Sequence, residues 1–211
     1  MITPGMQRRL ISSTAAAALS LVLPSAAKAH HPTGGMLPAS WSDGFLSGIG
    51  HPVLGPYHLA FIVGAAILMA ASRRWAALPA LFVAGLVPGV LSRFGHVVMT
   101  APEMLVALSV LLLGAALLVE AKIAPAAGQI AVALAGFVHG YAFGETIIGA
   151  EPTPVAAYLA GLSVTTASIM IVLANLTRAI VSADFAALRL RQAAGAALVL
   201  GGGAFAVSAI V

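Results

Sequence analysis

Two stretches carry most of the groups able to do chemistry in this chain: HPVLGPYH at residues 51–58 and VHGYAFGET at residues 138–146. They supply His51, His58 and His139, and His96, Glu103 and Glu145 extend the inventory. Neutral imidazole with carboxylate suits borderline divalent ions such as nickel, cobalt and zinc, whereas calcium or magnesium would call for oxygen ligands alone. The chain has no cysteine, so thiolate metal sites, disulfides and cysteine nucleophiles are excluded.

Spacing sets a condition on any shared site. His51 and His58 are seven residues apart, hence about 10 Å along a straight helix at ~1.5 Å per residue, while metal–nitrogen bonds are only about 2.0–2.1 Å. Pro52, Gly55 and Pro56 lie between them. Prolines remove helical donors and glycine relaxes the backbone, which predicts a kink or unwound turn that draws the imidazoles together and releases carbonyls as extra ligands.

The elements that must position these groups are membrane spans. With 61% hydrophobic residues, 8% charged residues and a mean hydropathy of +1.05, the chain belongs in a bilayer. Residues 1–29 read as a cleaved export signal, with Arg8 and Arg9 before the apolar run LISSTAAAALSLVL and Ala27-Lys28-Ala29 as the cleavage site. Loss of Arg8, Arg9 and Lys28 leaves a nearly neutral protein, so the basic pI is no sign of nucleic-acid binding. Residues 30–47 would form a short periplasmic segment, and residues 48–211 the bundle.

Six apolar stretches of about 20 residues follow, at 48–71, 75–94, 102–120, 126–145, 154–176 and 192–211. The expected fold class is therefore all-α, a polytopic membrane bundle of about six helices. Arg73, Arg74, Lys122, Arg178, Arg189 and Arg191 fall on one side and Arg93 alone on the other, which places both mature termini in the periplasm by the positive-inside rule. Trp75, beside Arg73 and Arg74, is expected at the inner interface. On this topology every histidine lies on the outer side. His30 and His31, at the start of the mature chain, would gather ions peripherally.

With its histidines, prolines and glycines in this order, the sequence resembles the HupE/UreJ family of small membrane proteins associated with nickel or cobalt uptake for metalloenzymes. That family carries His-Pro-x-x-Gly-x-Asp-His in its first helix, matched here by His51, Pro52, Gly55 and His58. Its second motif, similar to Phe-His-Gly-x-Ala-His-Gly-x-Glu, is matched by His139, Gly140, Ala142 and Gly144. Three positions depart. Tyr57 stands where the family has Asp, Phe143 where it has a histidine, and Thr146 where it has Glu, with Glu145 adjacent.

The resemblance implies a permease rather than an enzyme, with His51, His58, His139, Glu145, His96 and Glu103 as the candidate metal residues. The ion is cargo, nickel or cobalt, and no cofactor is bound permanently. Expected partners are the lipid bilayer and the divalent ion, with a homo-oligomer or a metalloenzyme maturation system also open, and no nucleic acid. Three other readings stand beside it: a non-transporting accessory or assembly protein, an intramembrane zinc site, and a haem held between two histidines. No His-Glu-x-x-His occurs, and Gly201–Gly203 lack the residues of a phosphate loop.

Overall fold

The structure is a computed structural model that describes residues 37–95, 97–119, 123–181 and 184–210, without the side chains of residues 184 and 185. The export signal, His30, His31 and His96 lie outside the described residues. Among those residues every regular element is helical. The α-helices are α1 (Trp41–Leu54), α2 (Pro56–Ala71), α3 (Leu78–Ser92), α4 (Pro102–Leu118), α5 (Pro125–Gly144), α6 (Pro152–Ile180) and α7 (Asp184–Ser208). Short 3-10 turns occupy Arg73–Trp75 and Glu145–Ile147.

Local sequence explains where the helices begin. Four of them, α2, α4, α5 and α6, start at a proline, whose fixed φ suits the first helical position and whose missing N–H would have had no partner there. α1 starts instead with a capping box: Ser40 Oγ accepts from Asp43 N–H at 3.1 Å, and the Asp43 carboxylate accepts from Ser40 N–H at 3.1 Å.

Each of the six apolar stretches reappears as helix, with corrections at both ends of the chain. The first is not one continuous span from residue 48. It starts at Trp41 and breaks at Gly55, where α1 and α2 meet at 75°. The residue before a proline is driven out of the α region, and Gly55, before Pro56, is extended at φ −86 and ψ 101. The last helix begins at Asp184 rather than 192, since long arginine side chains such as Arg189 and Arg191 can run along a helix without ending it.

Among the described residues, four helical segments are long and apolar enough to cross a membrane, the bent α1–α2 pair makes a fifth, and α4 is a shorter apolar helix of 17 residues. They associate through small residues, which let backbones approach where lipid removes the hydrophobic drive between helices. α3 and α5 interlock most tightly. A Cβ on Gly85 or Gly89 would lie 1.9 or 2.2 Å from the carbonyls of Ala133 and Phe137, and one on Gly136 or Gly140 would lie 2.2 or 2.1 Å from those of Phe82 and Leu86. Gly44, Gly48 and Gly161 join α1 to α6 in the same manner, and Gly114, Gly195 and Gly202 join α4 to α7.

α2 runs through the middle, burying Phe61, Ile62, Ala65 and Ala66. Its C-terminal carbonyls at Met69 and Ala70 accept from the Arg178 guanidinium of α6, a cation placed where the helix dipole is negative. Trp75, beside Arg73 and Arg74, is buried at 2% exposure, because its ring fills the space above Gly128.

Candidate metal site

The break at Gly55 puts His51 on the last turn of α1 and His58 on the first turns of α2, facing α5 and α6. Gly55 is needed there for space, since a Cβ would come within 2.7 Å of the His58 ring. Ring centres of His51 and His58 are 6.5 Å apart, well inside the straight-helix separation. The break does not release the His51 carbonyl, which still accepts from Gly55 N–H at 3.0 Å.

His58 then meets His139 of α5, with Nδ1 to Nδ1 at 2.8 Å. His139 is fully buried, packed against the rings of Phe61 and Phe82 at 4.8 and 5.5 Å. Its Nε2 lies 2.9 Å from Ser109 Oγ of α4. Ser109 Oγ also donates to the carbonyl of Val106 at 2.7 Å.

These contacts assign the protons. A carbonyl can only accept, so the single Ser109 hydroxyl proton goes to Val106 and Ser109 Oγ accepts from His139 Nε2–H. His139 Nδ1 is then a lone pair, which requires His58 Nδ1–H to donate to it. His58 carries its own lone pair on Nε2.

A parallel chain orients His51. Tyr158 of α6 donates to the carbonyl of Phe143 at 3.1 Å, and Thr146 Oγ1 donates to the same carbonyl at 3.1 Å. Both hydroxyls therefore accept from His51 Nδ1–H, Tyr158 at 2.7 Å and Thr146 at 3.4 Å. The His51 lone pair is on Nε2. Imidazoles that ligate metals hold their other N–H on a hydroxyl, carbonyl or carboxylate in this way.

Not every candidate residue gathers here. Glu145, one residue before Thr146, turns away to Arg93 at 3.3 Å with its side chain 62% exposed. That guanidinium also donates to Tyr141 Oη at 3.0 Å and lies over the Tyr141 ring. Tyr141 in turn donates to the Val97 carbonyl and accepts from Met99 N–H, which ties the chain between α3 and α4 to α5. Glu103 is exposed on the first turn of α4. Among the described residues, no three His, Asp or Glu side chains come close enough to hold one ion.

Of the departures from the motifs, Tyr57 stacks on Phe205 of α7 with ring centres 3.3 Å apart, whereas Phe143 lies against both His58 and His51, at 3.9 and 4.8 Å. Ser109 and Tyr158 are site residues that motif reading passes over. Their signal is slight: Ser109 is the single hydroxyl of the apolar helix α4, and Tyr158 is one of several hydroxyl residues along α6.

The profile of the HupE / UreJ protein family matches residues 17–205. The chain belongs to the HupE/UreJ family. No curated protein and no solved structure matches it. This HupE/UreJ protein is accordingly a multi-pass membrane protein, and its motif glycines have assignable duties: Gly55 admits the His58 ring, Gly140 seats α5 against Leu86, and Gly144 passes the Arg93 side chain, whose Cγ would lie 2.9 Å from an added Cβ.

Proposed function

We propose that this protein is a permease that carries a divalent transition-metal ion, nickel or cobalt, from the periplasm across the bacterial inner membrane. Support comes from membership of the HupE/UreJ family and from one arrangement in particular. Three motif histidines from α1, α2 and α5 converge, with hydroxyl groups holding the N–H of His51 and His139.

In that arrangement the His51 and His58 rings lie on either side of the Gly55 break. Their 6.5 Å ring separation is close to two ring radii plus two metal–nitrogen bonds of about 2.0–2.1 Å. His139 Nδ1 becomes a third donor when the His58 ring swings from it to the ion. Neutral imidazoles without an adjoining carboxylate hold an ion weakly enough to release it, as conduction requires. The basic-residue asymmetry orients the outer, histidine-bearing end and both termini toward the periplasm.

The test is uptake of labelled nickel and cobalt in cells lacking other importers. His51→Ala, His58→Ala and His139→Ala should each abolish uptake with the protein still inserted, while Glu145→Gln, which loses only an exposed ion pair, should retain it. Uptake that survives all three histidine changes would transfer the family fold to an accessory role.

A further inference from the structure

A cleft of about 880 Å³ opens between α4 and α5. These helices are neighbours in sequence, but each spends its small residues on another partner, α4 on α7 and α5 on α3. The gap between them is consequently lined by side chains that do not interdigitate, such as Leu108 and Leu112 of α4 and Leu134 of α5. Those three are also exposed.

The ends of the cleft differ in character. One reaches Ser109 and Phe61, deep in the bundle. At the other lie Arg74 and Arg191 with Trp75, and the Arg74 guanidinium rests over the Trp75 ring at 4.9 Å. The wall formed by α4 is short, because 17 residues at ~1.5 Å each span about 26 Å, less than the ~30 Å hydrocarbon core. Two guanidinium groups at the mouth of an apolar slot oppose passage of a divalent cation and match an amphiphile with an acidic head.

We propose that the α4–α5 cleft is a binding site for an anionic phospholipid of the leaflet on the arginine side. One acyl chain lies along Leu108, Leu112 and Leu134, and the phosphate sits between Arg74 and Arg191. Guanidinium suits this headgroup because its planar donors meet phosphate oxygens in pairs. The proposed lipid contacts use none of the candidate metal ligands, although the inner end of the cleft reaches Ser109, which orients His139.

The two tryptophans of the chain are Trp41 and Trp75, so Trp41→Phe leaves a single reporter at the cleft. The full chain carrying this change is reconstituted in phosphatidylcholine vesicles, and either dibrominated phosphatidylglycerol or dibrominated phosphatidylcholine is titrated in. Quenching of Trp75 should saturate at a much lower mole fraction of the phosphatidylglycerol, with a preference of about fivefold per arginine. Arg74→Gln with Arg191→Gln should abolish the preference, and the corresponding lysine pair should restore part of it. Should the double glutamine variant fail to insert, Arg74→Gln alone, an exposed position, should lose about half of the logarithmic preference. Equal quenching by the two lipids overturns the proposal in favour of ordinary boundary lipid. Absence of quenching together with a dimer by cross-linking overturns it in favour of a second copy of the chain.

Discussion

His58 and His139 touch through their Nδ1 atoms at 2.8 Å although 81 residues separate them. Such a contact needs one N–H and one lone pair, so two imidazolium rings would be driven apart. Protons and a metal ion compete for the same lone pairs, so metal binding should weaken as pH falls and strengthen as it rises. Calorimetric affinity for nickel or cobalt that stays constant between about pH 5 and 8 would argue against histidine ligation.

The hydroxyls that orient the imidazoles should matter without touching the ion. Ser109→Ala removes the acceptor for His139 Nε2–H, and Tyr158→Phe removes the main acceptor for His51 Nδ1–H. Changes of this kind cost metal sites about 10- to 100-fold in affinity. A buried imidazole N–H left unpaired costs about 1–3 kcal/mol of stability besides. Calorimetry and thermal unfolding in detergent separate the two effects, and Ser109→Thr should recover more of the affinity than of the packing.

Phe143 occupies the place from which an added ligand would reach the site, in van der Waals contact with His58 and near His51. Phe143→His should therefore tighten nickel binding, since it supplies an imidazole one turn beyond His139 on the same face of α5. Tyr57→Asp should contribute much less. It forfeits the stack on Phe205, worth about 0.5–1.5 kcal/mol, and places its carboxylate toward α7. Affinities of the two single variants, measured side by side, check the ranking.

The seam between α3 and α5 should tolerate no side chain. A Cβ on Gly136 or Gly140 meets backbone oxygen near 2 Å, and backbone in a packed helix pair cannot move aside as a side-chain tip can. Gly136→Ala should destabilise by at least the ~1–3 kcal/mol typical of overpacking, read as a lowered midpoint in thermal unfolding. Gly203, where an added Cβ would meet nothing within 4 Å beyond its own helix, serves as the control, and Gly203→Ala should leave the midpoint within experimental scatter.

Much of this architecture followed from residue types and spacing alone. Burial in a bilayer is a sum over side chains, independent of which neighbours they meet, so six apolar stretches and an all-helical fold could be read directly. The motif histidines and the weak point around Gly55 and Pro56 were visible for a similar reason: covalent geometry acts locally.

Which face of each helix points inward was not visible in the sequence, because in a membrane protein lipid-facing and core-facing positions are equally apolar and no polar stripe marks the difference. Close approach of small residues made that choice, rotating α5 so that His139 meets His58 and turning Thr146 toward His51. The next residue around the helix, Glu145, was left to Arg93. In the 3-10 turn Glu145–Ile147 one residue corresponds to about 120° of rotation. That rotation, set by contacts between segments 81 to 107 residues apart, determined which polar groups joined the site.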